Sequence, residues 1–383
     1  MTIKEVGTPQ DIRDFLDLPI RIYKGYTNWI QPLDKDIEAV FDPKKNKAFQ
    51  HGKCKRWLLF NTHNQVIGRV ATFINHKYEK GKQVGGIGFF EVIEDQDAAF
   101  YLLDHCRSWL ENEGMQAMDG PINFGERDRW WGLLIDGFHP PLYCMNYNPP
   151  YYVEYFEKYG FQVYFNQLCY GMKVSTNFQE KFFDRHKEIS KNSNIHIKNI
   201  TKNRLTQFAR DFSIIYNAAW AQHGGGKSMS EDTAIKIFKA MKPVLDEQIN
   251  WFAYEKEEPI ACWINLPDLN HYFKHFRGKL GWIQKLYFLW LKWTKPNPKF
   301  NGIVFGVVPK WQGKGMDCYL IVESTSRFVP TTSYKEYEMQ WIGDFNPKMI
   351  GVAENLGADI TRKLATYRYL FDKNKTFKRH PII

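Results

Sequence analysis

The chain has 383 residues, of which 44% are hydrophobic and 25% are charged. This composition excludes a disordered protein, and the length favours two domains over a single hydrophobic core. The formal net charge of +10 favours anionic partners such as nucleic acid, anionic lipid or phosphate groups, and the sign alone does not choose among them.

The cysteines and the N-terminal segment bear on the cellular compartment. None of the 6 cysteines lies within metal-ligand or redox-pair spacing of another, so we predict buried free thiols and no metal site. The N-terminal segment is polar and lacks the apolar stretch of a signal peptide, and no apolar run reaches the roughly 18 residues that span a bilayer. We therefore expect a cytoplasmic protein.

The first half of the chain predicts alternating strands and helices. A hairpin is followed by an apolar strand, a helix, a short strand, a second helix and a closing strand: Trp57–Phe60, Val66–Ile74, Gly86–Val92, Ala98–Leu110, the region of Met118, Tyr151–Lys158 and Phe161–Tyr170. The two helices are stopped by Gly114 and Gly160, which can adopt the positive φ that ends a helix.

The second half repeats this order of elements. Its members are Trp251–Tyr254, Ile260–Ile264, Ile303–Val308, Met316–Phe328, Glu336–Trp341, Pro347–Leu356 and Lys363–Leu370. Two copies of one fold with different insertions explain the repeat. We therefore predict an α/β (α+β) protein with two domains of one topology, residues 1–174 and 195–383, joined by a polar linker at 175–194. Each domain is predicted to have a mixed central sheet flanked by helices.

The turn VVPKWQGKGMD, at Val307–Asp317, carries the clearest chemical signal. It joins a strand to a helix N-terminus, where unpaired backbone N–H groups and the positive end of the helix dipole attract phosphate. Gly313 and Gly315 allow the backbone to approach an anion closely, and Lys314 adds positive charge. The residues predicted to bind the ligand are Val307, Val308, Gln312, Gly313, Lys314, Gly315 and Met316.

Acidic residues restrict this prediction to one half of the chain. Asp317 falls in the first helical turn, where it either repels phosphate or caps the helix. The equivalent turn of the first half, Ile93–Ala98, has three acids and no glycine, which disfavours phosphate. The sequence therefore predicts an anion site in the second half only.

The order of elements and the turn Gln312-x-x-Gly315 resemble the GNAT superfamily of acyl-CoA N-acyltransferases. Longer segments are similar to the bacterial ceramide-synthase-like branch of that superfamily: YNAAW at 216–220, LPDLN at 266–270, EMQWIGDFN at 338–346, and GPINF with GLLIDGFHPPLYCMNYNPPYY within 120–152. The resemblance covers almost the whole chain. It implies two tandem GNAT-like domains, acyl-CoA (coenzyme A) as the cosubstrate, and N-acylation of a long-chain amine. The tyrosine that often protonates the departing thiolate in this family is replaced by Phe156 and Ala353.

GNAT chemistry implies a base that frees the attacking amine. Glu338, on the strand after the predicted ligand-binding helix, is the candidate, and the alternative for it is an exposed strand carboxylate. Asn346 is the second catalytic candidate because it precedes Gly357 at the family's spacing. The predicted acceptor pocket comprises Glu126, Arg127, Asn148, Tyr151 and Tyr152, whose aromatic members suit a packed core equally well.

Two other segments allow a functional and a structural interpretation. Gly281–Lys295 mixes Trp, Phe and Leu with lysines and has no acid, which predicts either peripheral contact at the inner membrane or a helix that covers the sheet. His223 and the glycines after it predict either a loop that closes over the site or a structural histidine.

Three functions are compatible with the sequence. The first is an acyl-CoA-dependent N-acyltransferase that acts on an amine such as a sphingoid-like base, with no nucleic-acid partner. The second is a tRNA-dependent aminoacyl transferase, since such enzymes also pair two GNAT domains and are basic; its RNA binding would weaken with salt. The third is a scaffold that binds coenzyme A or lipid without turnover, which the two missing tyrosines favour.

Overall fold

The computed structural model describes residues 1–78, 82–221 and 228–382. In these ranges 14 strands form one mixed sheet. The strands are β1 (Thr2–Glu5), β2 (Gly52–Phe60), β3 (Val66–Asn75), β4 (Val84–Val92), β5 (Ala117–Gly120), β6 (Leu133–Asp136), β7 (Gln162–Lys173), β8 (Ile195–Asn199), β9 (Trp251–Glu255), β10 (Glu258–Pro267), β11 (Lys299–Val307), β12 (Glu336–Met339), β13 (Ile342–Gly343) and β14 (Asp359–Leu370).

Helices pack on both faces of this sheet, where they build the hydrophobic cores. They are α1 (Pro9–Ile22), α2 (Asp34–Phe41), α3 (Gln96–Asn112), α4 (Tyr151–Tyr159), α5 (Glu180–Ser190), α6 (Leu205–Tyr216), α7 (Glu231–Met241), α8 (Asn270–Phe273), α9 (Trp282–Thr294), α10 (Met316–Phe328) and α11 (Pro347–Asn355).

Each half of the chain repeats one arrangement of strands. β1 to β4 are antiparallel neighbours and β5 is parallel to β4; likewise, β8 to β11 are antiparallel neighbours and β12 is parallel to β11. A helix connects each parallel pair, α3 in the first half and α10 in the second, because parallel strands need a long crossover. The predicted mixed sheet with flanking helices is thereby confirmed.

The parallel strands separate after a short paired stretch. β4 pairs with β5 only as far as Gly86, and β11 pairs with β12 only as far as Gly302. β4 nevertheless continues to Val92 and β11 to Val307. Among the described residues, each half therefore has a gap in the sheet where the backbone of one strand has no strand partner on that side.

The two halves exchange strands at the centre of the sheet. β14, near the C-terminal end, pairs with β5 and β6 of the first half, whereas β7 pairs with β12 and β13 of the second half. β14 and β7 also pair with each other. Tyr367 and Tyr369 of β14 pack in the core of the first half beside Phe156 and Phe161. The repeat in the sequence does not predict this exchange, and the division of the chain at 175–194 stays a prediction.

The segment predicted as a linker contains α5, which packs against α10. Phe182 of α5 is buried together with Ile321 and Val322 of α10. The linker segment is therefore part of the packed second half, and α5 lies next to the glycine-rich turn that precedes α10.

Candidate functional site

The glycine-rich turn of the second half has the backbone geometry of an anion site. Gly313 (φ +70°) and Gly315 (φ +84°) both adopt the left-handed conformation that favours glycine. α10 begins directly after Gly315, and no side chain of the described residues caps it. The N–H groups in the first turn of α10 are therefore available to an anion.

Basic side chains surround this turn. Lys314 is exposed within it. Arg185 of α5 lies over Gly315, since a Cβ atom at that glycine would come within 2.9 Å of the Arg185 Cβ. Asp317 lies in the first turn of α10 without capping it, so the predicted alternative of a cap is wrong. Sequence analysis missed Arg185 because its neighbours have the composition of a linker and no local pattern connects it with the turn.

An apolar cavity, called here the second-half cavity, lies between the helices α10 and α11 and the strands β11 and β12. Its lining includes Phe305, Ile321, Phe328, Tyr337, Met339 and Val352. Phe305 comes two residues before Val307, so one wall of the cavity is formed by the strand that leads into the glycine-rich turn. Its apolar walls suit an apolar chain rather than a polar group.

Some backbone groups at the end of β11 already form hydrogen bonds within the protein. Val308 N–H donates to the Ile260 carbonyl at 2.9 Å, which holds it within the sheet. Because backbone groups alternate along a strand, Val307 faces the opposite edge, toward the gap. The Gln312 side chain donates to the Val307 carbonyl at 2.8 Å. Gln312 therefore occupies one of the two acceptor positions of this carbonyl oxygen.

Glu338 lies on the opposite face of β12 from the second-half cavity, in a buried ion-pair network. Its Oε1 accepts from Arg362 Nε and from the Thr361 hydroxyl, both at 3.1 Å, and Lys299 contacts its Oε2. Burial acts to raise the pKa of Glu338, but Arg362 and Lys299 outweigh it and hold the pKa below its usual value. A carboxylate whose pKa is lowered in this way is a poor proton acceptor. Glu338 is also buried, so the predicted alternative of an exposed strand carboxylate is wrong. Its role as a base stays a prediction.

Asn346, the other catalytic candidate, is the N-cap of α11. Its side-chain oxygen accepts from Met349 N–H at 3.3 Å. Pro347 follows it at the first helical position, where the missing N–H has no cost. A helix cap accounts for this residue without a ligand, so its catalytic role also stays a prediction.

Motifs that are far apart in the chain meet around Arg362. Arg362 Nη2 lies 2.7 Å from His139 Nδ1 and donates to the Pro140 carbonyl at 2.9 Å. Asn270, the last residue of LPDLN, donates to the Pro141 carbonyl at 2.8 Å. Burial raises the pKa of the neighbouring Asp268 to about 6, against the lowering effect of Lys299. Residues 139–141 of the first half are thus bonded directly to the second half.

A second cavity, called here the first-half cavity, lies at the gap beside β4. Glu91 and Arg69 line it, and both are buried. The hydroxyls of Tyr23 and Tyr152 donate to Glu91 Oε2 at 2.8 Å and 3.1 Å. Sequence analysis missed Glu91, although a lone acid in the apolar strand GIGFFEV is a signal that could have identified it.

The predicted acceptor residues are only partly brought together. Asn148 and Tyr152 line the first-half cavity, but the Asn148 amide is already bonded to both backbone groups of Leu134. Tyr151 donates to the Val92 carbonyl at 3.2 Å.

The other predicted acceptor residues lie elsewhere. Glu126 is exposed, and Arg127 lies over the rings of Tyr78 and Trp131. His223 lies outside the described residues. Within the described ranges, the first-half and second-half cavities share no lining residue.

α9 exposes most of its apolar side chains. Trp293 is 84% exposed and Trp282 72%, and Ile283, Leu286 and Leu289 are also exposed. Only Phe288 and Leu291 of this helix are buried, against α8 and Leu33. The helix therefore does not cover the sheet, and this predicted alternative is wrong. Within the described ranges, no helix is long and apolar enough to cross a bilayer.

Comparison with known proteins gives two relatives by sequence. No protein-family model matches the chain. The chain is 26% identical over 368 residues to a protein named bacterial ceramide synthase from Caulobacter vibrioides. The aligned region covers 93% of this chain and 94% of the relative. It is 23% identical over 373 residues to Protein YghO of Escherichia coli, with coverages of 93% and 92%.

Comparison with solved structures identifies the fold. A tandem GNAT protein from the clavulanic acid biosynthesis pathway has a TM-score of 0.55 at 10% identity and covers 98% of this chain and 99% of that protein. A GCN5-related glucosamine N-acetyltransferase region of a fungal β-N-acetylglucosaminidase has a TM-score of 0.56 at 12% identity, over 96% of this chain and 38% of that one. The chain is therefore a protein of the tandem GNAT fold. Within that class it resembles bacterial ceramide synthase along almost its whole length, as its motifs predict.

Proposed function

We propose that the protein is an acyl-CoA-dependent N-acyltransferase whose acceptor is an apolar, long-chain amine. The observation that carries this proposal is the uncapped, glycine-rich turn before α10, together with the apolar second-half cavity that is lined by the two elements flanking this turn, β11 and α10. The turn supplies N–H groups and Lys314 to the pyrophosphate of coenzyme A, and the cavity accommodates the acyl chain. The named activity of the Caulobacter relative, a ceramide synthase, supports the same class of reaction.

The reaction needs no covalent intermediate with the protein. The amine nitrogen attacks the thioester carbonyl, a C–N bond forms and the C–S bond breaks. The nitrogen gives up one proton, and the departing thiolate takes one. Each further CH₂ group of acyl chain buried in an apolar cavity adds about 0.8 kcal/mol, so long-chain acyl groups are favoured.

The coenzyme A site is tested by Gly313→Val with Gly114→Val as its matched control. Both glycines have positive φ, +70° and +78°, and a Cβ at either meets no atom within 4 Å. Both variants carry a similar backbone strain on the order of 1–2 kcal/mol, but only residue 313 lies where the pyrophosphate must approach. We expect calorimetry to show at least tenfold weaker coenzyme A binding for Gly313→Val and unchanged binding for Gly114→Val. Equal affinities for both variants would argue against this site.

A turnover assay separates the three candidate functions. The protein is mixed with a long-chain acyl-CoA and a long-chain amine, and release of free thiol is measured together with the amide product. An N-acyltransferase releases both in equal amounts. A scaffold binds acyl-CoA without release, and a tRNA-dependent transferase forms product only from aminoacyl-tRNA. Product from acyl-CoA alone as donor supports the proposal, and either other outcome contradicts it.

We further propose that α9 holds the protein at an anionic membrane surface, where such an acceptor is found. Exposed aromatic and aliphatic side chains lie along the same helix as Lys285 and Lys292, with no acid among them. This combination suits insertion of the apolar side chains below the headgroups while the lysines contact lipid phosphates.

Membrane binding is tested with Trp282→Ser/Trp293→Ser in a co-sedimentation assay with vesicles of anionic phospholipid. Removing two exposed tryptophans is expected to weaken binding at least tenfold, because each contributes a large apolar area. Ile214→Ser is the control, since this residue is also an exposed apolar side chain, but on α6. If the control and the double variant bind equally well, α9 is not the membrane contact.

A further inference from the structure

A buried tyrosine hydroxyl lies at the wall of the second-half cavity. Tyr337 of β12 lines this cavity, and its ring packs against Phe300 and Trp263. The indole N–H of Trp263 donates to the Tyr337 hydroxyl oxygen at 3.2 Å, and no described residue accepts a hydrogen bond from the hydroxyl itself. A buried donor without an acceptor costs free energy, which a suitably placed ligand atom would recover.

This hydroxyl lies where β11 and β12 separate. Gly302 pairs with Met339 at the last paired position of the two strands. A Cβ atom at Gly302 would overlap the Tyr337 hydroxyl oxygen, so glycine at this position leaves room for the hydroxyl. β11 continues from here to Val307, past the last residue that pairs with β12. The hydroxyl is therefore at the inner end of the gap between the two strands.

Other polar side chains of the cavity lining are less suited to give up a proton. Thr325 and Ser175 carry aliphatic hydroxyls, which are weaker acids than a phenol, and the Thr325 hydroxyl already donates to a carbonyl of its own helix at 2.7 Å. Lys173 is exposed to solvent. Ala353 of α11, which stands where related enzymes often have a tyrosine, lines the same cavity and has no proton to donate. Tyr337 is therefore the best-placed proton donor of this lining.

We propose that Tyr337 is the general acid of the acyl transfer and gives its hydroxyl proton to the coenzyme A sulfur as the C–S bond breaks. This assignment rests on the proposed N-acyltransferase function and adds a catalytic residue to it. The amine nitrogen forms the C–N bond and releases one proton, while the sulfur receives the proton of Tyr337. The proton released by the nitrogen then restores the hydroxyl, so the residue is unchanged after each turnover and no further reactant is needed.

The surroundings of the hydroxyl suit this role. Burial raises the pKa of Tyr337 to about 12, against the lowering effect of the Trp263 N–H, so the hydroxyl is protonated at neutral pH. A thiolate that leaves into the same apolar surroundings has its pKa raised as well, because burial penalises its charged form. The Trp263 N–H is positioned to stabilise the negative charge that develops on the Tyr337 oxygen during the transfer.

The test compares Tyr337→Phe with Tyr334→Phe. Both tyrosines are buried and pack against Phe300, but the Tyr334 hydroxyl donates to Asp246, which is not part of the cavity lining. Thiol release is measured with palmitoyl-CoA as the donor and sphinganine, a long-chain amine, as the acceptor. We expect Tyr337→Phe to lower kcat about a hundredfold, since general acid catalysis contributes on the order of 10²–10⁴-fold. Tyr334→Phe is expected to keep the wild-type kcat, and equal kcat values for the two variants overturn the assignment.

A second variant tests the position of the hydroxyl rather than its presence. Gly302→Ala keeps Tyr337, but the added Cβ atom overlaps the hydroxyl oxygen and forces it away from the inner end of the gap. Because catalysis is sensitive to small displacements of a reacting group, we expect kcat to fall at least tenfold. Thermal unfolding, measured in parallel, shows whether the variant is folded. A folded Gly302→Ala protein that turns over at the wild-type rate contradicts the proposal.

The kinetic parameters separate a chemical role of Tyr337 from a structural one. A proton donor to the leaving sulfur acts only in the transition state, so its removal lowers kcat and kcat/KM equally and leaves the affinity for coenzyme A unchanged. A hydroxyl that only supports packing would change this affinity together with kcat, and that result would contradict the assignment. If the wild type releases no thiol, the proposed N-acyltransferase function itself fails. If the wild type releases thiol and Tyr337→Phe matches Tyr334→Phe, the function stands and only this assignment fails.

Discussion

Removal of residues 359–383 is expected to unfold the first half of the chain as well as the second. β14 is the strand between β5 and β7, so its loss leaves both without their partner at the centre of the sheet. Leu364, Ala365 and Tyr367 of β14 are almost fully buried. Burial of an aliphatic or aromatic side chain contributes roughly 1.5–3 kcal/mol, and a typical domain is stable by about 5–15 kcal/mol in total. Losing one central strand therefore exceeds what the remaining fold can tolerate.

Circular dichroism and hydrogen exchange measure this outcome, and a shorter truncation is the control. Removal of residues 374–383 leaves β14 intact and should preserve cooperative unfolding. A fragment of residues 1–174 on its own should not unfold cooperatively, and adding a peptide of residues 357–372 should partly restore structure. A stable, cooperatively folded fragment 1–174 would show that the exchange is not needed, and would support the predicted domain division as an independent folding unit.

Replacement of Arg362 by methionine is expected to lower the free energy of unfolding by about 3–5 kcal/mol. The guanidinium is fully buried, pairs with Glu338 and also contacts His139 and the Pro140 carbonyl. Without it, the Glu338 carboxylate stays buried with Lys299 as its remaining cation, and the Arg362 contacts with His139 and Pro140 of the first half are lost. Denaturant unfolding followed by fluorescence measures the change.

An exposed pair provides the control for this prediction. Arg379→Met removes an ion pair with Asp344 that is largely solvent-exposed, and such pairs contribute about 1 kcal/mol at most. The double variant Arg362→Met/Glu338→Met removes both charges of this pair and should recover part of the lost stability, since an apolar pair can replace a buried ion pair and Lys299, which loses Glu338, is partly exposed. If Arg362→Met is no more destabilising than Arg379→Met, the buried network does not hold the halves together.

Local sequence patterns determined the elements of the fold and the glycine-rich turn before α10. Residues Met316–Phe328 are helical in the structure with the same ends as predicted, because glycine precedes the helix and apolar residues recur at helical spacing. The same holds for Pro347 at the start of α11 and Gly160 after α4. These features depend on neighbouring residues only, so a periodicity and a turn residue suffice to predict them.

Tertiary structure alone decided which strands pair and which polar groups meet. The pattern of β14 predicts a strand equally well in either half, since periodicity encodes the faces of a strand and not its partners. Glu338 and Glu91 both follow apolar residues in strands. In the structure, however, Glu338 forms ion pairs with Arg362 and Lys299, whereas Glu91 borders a cavity. The sequence likewise does not decide whether α9 is exposed or covered, because an apolar helix face does not specify what packs against it. Such contacts join residues far apart in the chain, and no local pattern carries that information.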